Sequence, residues 1–255
     1  MELVEIGPGG PSAHNPMDFD PYRTPTTPRD AASVILLRAR PTDGSAEIFL
    51  LRRHRGASFM AEAFVFPGGA REGDEDLSAT AARELLEEAG VRIDPASLVL
   101  FAHWITPSAR EKRFSARFFV AELPAGQTPR FDGAETVDEL WATLAEALAR
   151  SIELRLPPPQ IRTLFDLREL AARGPAAVLG FARGRAARVR PIMPRMALIE
   201  GDVGGLAVLL PWDPDYESRG LGEGEPFAAD DAFATGPTRF VLAGVEGGLS
   251  WKGAG

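Results

Sequence analysis

The chain has 255 residues of ordinary globular composition, 45% hydrophobic and 25% charged, and can bury one large core or a core with an extension. A net charge of −8 argues against a general nucleic-acid surface, and the lack of cysteine excludes disulfides, thiolate catalysis and cysteine metal sites. No run approaches about 18 apolar residues, so no membrane span is expected. The Met-Glu-Leu-Val-Glu start lacks the basic and apolar regions of a signal peptide, which makes the cytoplasm the expected compartment.

Residues 1–28, with prolines at 8, 11, 16, 21, 25 and 28, read as an irregular arm. A buried strand is predicted over residues 29–40, a turn at Asp43-Gly44 and a returning strand over 47–53, together a hairpin. A short strand over 63–66 runs into Pro67-Gly68-Gly69. A helix starting at 77–80 is expected to stop at Gly90, a suitable left-handed cap. Strands follow over 97–106, 113–123 and 135–141, then a helix capped by Thr143 and running to 150. Further helices are predicted over 156–172, opened by Pro157-Pro158-Pro159, and over 176–182. The basic segment carrying Arg183, Arg185, Arg188 and Arg190 reads as a solvated linker, or as a grip for a further phosphate or an acidic partner. Strands over 192–200, 206–210 and 239–244, set among glycine- and proline-rich loops, read as an extension (residues 191–255) packed on the core.

The stretch most loaded with chemistry is the helix containing Arg83-Glu84-Leu85-Leu86-Glu87-Glu88-Ala89-Gly90-Val91. At about 100° per residue, Glu84, Glu87 and Glu88 share a face, with Ala82, Leu85, Leu86 and Ala89 on the other. Like charges at this spacing repel. A hard divalent cation with oxygen ligands would offset that repulsion, and carboxylates without cysteine or clustered histidine suit Mg²⁺ or Mn²⁺. An acidic helix face is usually only solvated. Here the pattern is longer: Gly69, five residues, Glu75, seven residues, then the Arg83–Val91 run.

That whole pattern resembles the signature of the Nudix hydrolases. The resemblance implies an α+β fold, the Nudix α/β/α sandwich with a mixed central sheet, over residues 29–190, and a divalent-metal-dependent cleavage of a diphosphate. It implies Glu87 and Glu88 as principal metal ligands, Glu84 as a ligand or the group that activates water, and the Gly68 carbonyl as a further ligand. Arg83 would hold a catalytic carboxylate, and Glu75 would bind metal or organise the loop. A later-loop glutamate assists in some members; Glu135 is the candidate here and Glu139 its rival. Arg52, Arg53 and Arg55, with His54, either face the phosphates or lie on a solvated edge strand. Trp104, beside His103, either stacks on a base or belongs to the core.

Outside the box, residues 58–69, 103–107, 113–119 and 156–160 are similar to the coenzyme-A-diphosphatase-like branch related to the peroxisomal enzymes. Leu50-Leu51-Arg52-Arg53 stands where a Leu-Leu-Thr-x-Arg stretch belongs in better-defined members, so the chemistry is firmer than the substrate. The resemblance points to a small-molecule substrate, a nucleoside diphosphate linked to another moiety, with CoA or acyl-CoA first. ADP-ribose, a nucleotide sugar or a dinucleotide is the alternative, and a non-catalytic nucleotide-sensing module is the rival of another class. Neither nucleic acid nor membrane is an expected partner, while a homodimer is compatible with the sequence.

Overall fold

The computed structural model describes residues 19–20, 22–57, 60–199, 205–245 and 248–254. Most of the expected N-terminal arm (residues 1–18 and 21), Ser58 and Phe59 of the stretch before the box, and Glu200 lie outside the described residues. The chain divides into two compact units, one of residues 29–104 and 115–191, the other of residues 1–28, 105–114 and 192–255.

The first unit contains, in chain order, β1 (Arg29–Ala39), β2 (Ala46–Arg53), β3 (Phe64–Val65), β4 (Gly68–Ala70), α1 (Leu77–Ala89), β5 (Val99–Ile105), β6 (Phe114–Glu122), β7 (Thr136–Thr143), α2 (Leu144–Ala149), α3 (Pro158–Ala171) and α4 (Pro175–Arg185). Its sheet is mixed and runs β3-β2-β1-β6-β5, with β4 also on β1 and β7 also on β2. The expected hairpin forms in register Leu37↔Ile48 and Ala39↔Ala46, and its turn is tied by the Asp43 carboxylate accepting from Ser45 N–H at 3.0 Å. Alternation sorts the side chains. Ala32, Val34 and Leu36 of β1, Phe49 and Leu51 of β2, and Phe119 and Ala121 of β6 pack with Ala81, Leu85 and Ala89 of α1. Ile35, Leu37, Ile48 and Leu50, on the opposite face, are also fully buried. Burial on both faces explains the unbroken apolar runs in β1 and β2. Each such side chain contributes about 1.5–3 kcal/mol to the folded state.

Helix boundaries follow their caps. Thr143 and Glu146 form a reciprocal capping box that starts α2, with Thr143 N–H donating to the Glu146 carboxylate at 2.9 Å. Prolines open α3 and α4, where the missing N–H costs nothing. The basic segment departs from the expected solvated linker at Arg185, while Arg183 and Arg188 are exposed. Arg183 and Arg185 belong to the last turn of α4, and Arg185 is buried, 3.7 Å from Asp166 and over the Phe101 ring at 4.4 Å. The buried Asp166 carboxylate, also paired with Arg162 at 2.8 Å, draws that guanidinium inward.

After a two-residue strand, β8 (Pro191–Ile192), come β9 (Arg195–Leu198), β10 (Leu206–Leu209), β11 (Arg239–Val245) and β12 (Gly248–Ala254). In the second unit β9 to β12 form a four-stranded antiparallel sheet in the order β12-β11-β10-β9. Ala197, Ile199, Ala207, Leu209, Tyr216 and Val241 make its core. Residues 191–255, expected as a loop-rich extension, thus supply a sheet of their own. The strand β12 escaped the sequence reading because Gly-Leu-Ser-Trp-Lys-Gly-Ala has weak strand propensity; pairing with β11 along its whole length supplies the order.

Candidate active site

The site is built where β4 meets α1. Gly68 pairs with Ser33 and Gly69 with Ala32 across β1, and Gly68 has a φ of +157°. A Cβ at Gly68 would run into the Ala32 carbonyl and the Ser33 backbone, so the strand requires glycine there. This close packing aims the Gly68 N–H at Glu88, whose carboxylate accepts from it at 2.8 Å. A Cβ at Gly69 would occupy the space taken by the Glu84 carboxylate. The helix ends as expected, with Gly90 left-handed and its N–H closing on Leu86 at 2.9 Å.

The three helix glutamates do not share one environment. On the wheel they span about 100°, with Glu88 nearest the Ala81–Leu85 stripe and Glu87 farthest. Accordingly Glu88 is buried at 5% exposure, Glu84 is half-buried, and the Glu87 side chain is 57% exposed. The expected split of the helix into an acidic face and an apolar face of Ala82, Leu85, Leu86 and Ala89 therefore needs correction. Ala82 and Leu86 are only half-buried, while Ala81 and Glu88 are on the buried side.

Arg83 offsets part of the repulsion. Its guanidinium donates to Glu75 at 2.9 Å, Glu84 at 2.9 Å, Glu87 at 3.1 Å and the Ala70 carbonyl at 3.0 Å. Glu75 also accepts from the Glu72 N–H at 2.9 Å, and with Arg83 this holds its carboxyl down at about 2. Because the folded value lies below the ordinary 4.5, the stabilisation is complete above pH 4.5 and is lost as pH falls through 2. Denaturation curves between pH 6 and pH 2 should therefore show the difference between wild type and Glu75→Gln shrinking as pH falls from 4.5 towards 2. A difference independent of pH would contradict the pairing.

Glu88 lies at the other extreme. Burial pushes its carboxyl up to about 7, Glu84 and Glu135 add repulsion, and the Gly68 N–H and Arg53 oppose the rise. Burial likewise raises Glu84, against Arg83 and with Glu87 and Glu135. Glu135 therefore stands within electrostatic reach of both carboxylates. It does so on a well-tied loop, where Asp132 accepts from the Glu135 N–H at 3.0 Å and the Thr136 N–H at 2.9 Å. Glu139 is engaged elsewhere, with Arg130 at 2.6 Å and the Phe131 N–H at 2.8 Å.

The basic stretch separates by face. Leu51 points to α1, so Arg53 does too, beside Glu88, and its Nε is buried with no hydrogen-bond partner among the described residues. Arg52 points the other way and pairs with Glu62 at 3.5 Å, while Arg55 is exposed in the turn beyond β2. Trp104 is buried at 4% exposure, and His103 is buried with its Nε2 2.9 Å from Ser115 Oγ. Asp132 and the Ala70 carbonyl escaped the sequence reading. Neither is a fixed position of the box pattern: the Ala70 carbonyl accepts from Arg83, and Asp132 ties the loop that carries Glu135.

Among the described residues, no three carboxylate or imidazole groups converge as a formed metal-ligand set. Arg83 holds Glu84 and Glu87, and Glu88 turns to the Gly68 N–H. The donor chemistry nonetheless fits an oxygen-seeking divalent cation. Such a cation would relieve both the burial cost of Glu88 and its repulsion with Glu84 and Glu135.

The model of the NUDIX domain matches residues 27–164, more than half of the chain. No curated protein matches it. Among solved structures, a NUDIX hydrolase from Alicyclobacillus acidocaldarius is 23% identical, with a TM-score of 0.51 over 61% of this chain and 96% of its own. A MutT protein from Methanosarcina mazei Go1 is 24% identical (TM-score 0.43, 55% of this chain and 92% of its own). The NUDIX domain of Shewanella oneidensis NrtR, crystallised with ADP ribose, is 18% identical (TM-score 0.46, 56% and 88%). No helix among the described residues is long and apolar enough to cross a membrane. With the glycine-held glutamate, the arginine clamp and the sandwich around them in place, the chain belongs to the NUDIX domain family and is a Nudix hydrolase.

Proposed function

We propose that this hydrolase uses Mg²⁺ or Mn²⁺ to cleave the diphosphate of a nucleoside diphosphate linked to another moiety, with CoA or acyl-CoA as the first substrate. The observation that carries the reading is Glu88, buried between the Gly68 N–H and Arg53 and repelled by Glu84 and Glu135. Such a site calls for a cation at the carboxylates and an anion at the arginine. Glu88, Glu84, Glu87 and the Gly68 carbonyl would hold the ion, which when bound neutralises phosphate charge and lowers the pKa of a bound water. Arg53, with its Nε unoccupied, would bind a phosphate oxygen. Glu84, half-buried and raised by its burial, would accept a proton from the attacking water, with Arg83 fixing its position. Glu135 is the second carboxylate within reach. What favours CoA is the sequence likeness of residues 58–69, 103–107, 113–119 and 156–160 to the CoA-diphosphatase-like branch.

Product analysis decides the substrate. Incubated with CoA, acyl-CoA, ADP-ribose, a nucleotide sugar and a dinucleotide, the protein is expected to convert CoA to 3′,5′-ADP and 4′-phosphopantetheine, and a chelator should abolish the reaction. Cleavage of ADP-ribose with none of CoA would replace the first substrate, and cleavage of nothing would remove the diphosphatase reading. Arg53→Ala should lower kcat/KM by roughly 10- to 100-fold, the worth of a charge-assisted hydrogen bond. Unchanged turnover would take Arg53 out of the site.

A further inference from the structure

A pair of arginines outside the acidic cluster begins one peptide away from the Arg83 clamp. The peptide joining Ala70 to Arg71 is gripped from both sides. Its carbonyl accepts from Arg83 at 3.0 Å, and its N–H donates to the Asp30 carbonyl at 2.9 Å. The Arg71 guanidinium then reaches the Asp30 carboxylate at 3.3 Å. On β1, Asp30 follows the alternation of Ala32, Val34 and Leu36 and so shares the face that packs on α1. On β6, Arg117 shares that face with Phe119 and Ala121. Arg117 comes to 3.8 Å from the same Asp30 carboxylate. Its hydrogen bond goes to Ser115 Oγ at 2.7 Å, and Ser115 is in turn 2.9 Å from His103 Nε2.

An isolated surface ion pair is worth little and needs no function. This cluster differs in its charge balance. Two guanidiniums share one carboxylate, and His103 brings no further charge, because burial and then Arg117 push its imidazole down to about 4. One positive charge is left over, in a chain whose net charge is −8. Neither arginine closes on Asp30 as Arg83 closes on Glu75 at 2.9 Å, and 3.8 Å is beyond hydrogen-bond range. Both side chains keep surface in water, 40% for Arg71 and 29% for Arg117, so an anion can reach them. Arg117 is nevertheless held in place by a neutral hydroxyl, which removes part of the ordering cost of binding without spending its charge. Guanidiniums presented in this way match the oxygens of a phosphate. In the reading above, the diphosphate to be cleaved already has Arg53 and the cation. We propose that Arg71 and Arg117 bind a phosphomonoester carried by the nucleoside end of the substrate, a group separate from the diphosphate. CoA carries such a group as its 3′-phosphate, whereas ADP-ribose has none. The proposal rests on the nucleoside-diphosphate reading and names what would separate CoA from its rivals.

The test uses the full-length protein with Mg²⁺ and compares CoA with dephospho-CoA, which lacks only the 3′-phosphate. Wild type is expected to show the lower KM for CoA. Arg117→Ala, and separately Arg71→Ala, should raise KM for CoA by roughly 10- to 100-fold, the worth of a charge-assisted hydrogen bond, with kcat within about twofold. Neither variant should change KM for dephospho-CoA, whereas a merely structural role would disturb both substrates alike. Equal KM values in wild type, an equal effect of the variants on both substrates, or none on either, overturns the proposal and leaves the diphosphatase reading intact. If wild type cleaves neither substrate, the CoA reading fails, and calorimetric titration with 3′,5′-ADP and with 5′-AMP decides the phosphate site by itself. Tighter binding of 3′,5′-ADP by wild type, lost in Arg117→Ala, supports it; equal binding of the two nucleotides, binding of neither, or an advantage kept by the variant overturns it.

Discussion

Glu88→Gln is expected to lower kcat/KM for diphosphate hydrolysis by roughly a thousandfold, while making the metal-free protein more stable above neutral pH. The two effects have one origin. Glu88 is buried beside Gly68, with its carboxyl pushed up to about 7 from the ordinary 4.5. The unfolded chain therefore gives up this proton first. The contribution of Glu88 to stability is greatest below pH 4.5, declines as pH rises through 7, and is level beyond. The decline is on the order of 3 kcal/mol, at about 1.4 kcal/mol per pH unit. Glutamine keeps an oxygen for the Gly68 N–H but has no charge to bury, so the variant escapes the decline. Denaturation of both proteins at pH 4 and pH 8, with and without Mg²⁺, checks this. Wild type should recover its loss at pH 8 when Mg²⁺ is added, and the variant should not respond. If the variant is instead less stable than wild type at pH 8 without metal, or hydrolyses diphosphates at the wild-type rate, the role given to Glu88 is wrong.

Gly68→Ala is the second large effect, and it acts through the backbone. The added Cβ would meet the Ala32 carbonyl and the Ser33 Cα, neither of which belongs to a flexible side-chain end. The strand β4 must move, and a φ near +157° is poorly open to alanine. A loss on the order of 3 kcal/mol in stability is expected. As β4 shifts, the Gly68 N–H leaves Glu88, and misplacement of about 1 Å at a reacting centre can cost about a hundredfold in rate. Gly69→Ala makes the contrast. The atoms nearest its Cβ would all belong to the end of the Glu84 side chain, so fold stability should fall much less than for Gly68→Ala while activity still drops. Equal stability of Gly68→Ala and wild type by chemical denaturation would show that β4 is looser than its pairing with β1 indicates.

The parts of this molecule legible in the sequence were those whose cause is local. The β1–β2 hairpin announces itself by a glycine turn between two unbroken apolar runs, and α1 by its period and by Gly90. Thr143 and Glu146 write the start of α2 into neighbouring positions. What stayed hidden depends on distant partners. Nothing in Arg185 itself says that Asp166 will draw it inward, and β12 takes its order from β11. The site divides the same way. The spacing of Arg83, Glu84, Glu87 and Glu88 marked the chemistry, but their unequal burial follows from how α1 rolls against the Ala81–Leu85 stripe. The opposite orientations of Arg52 and Arg53 are simple alternation, yet which of them meets Glu88 depends on the packing of Leu51.

The Arg83 guanidinium is shared among Glu75, Glu84, Glu87 and the Ala70 carbonyl. Such sharing makes the folding of the cluster tolerant of single losses. Were one acid removed, the donors it releases would still have neighbours to serve, and the penalty would be spread over the survivors. Removing the arginine has no such cushion, because every acid loses its counter-charge at once. In fold stability, as distinct from catalysis, the loss of Glu75, Glu84 or Glu87 alone should therefore cost less than the loss of Arg83.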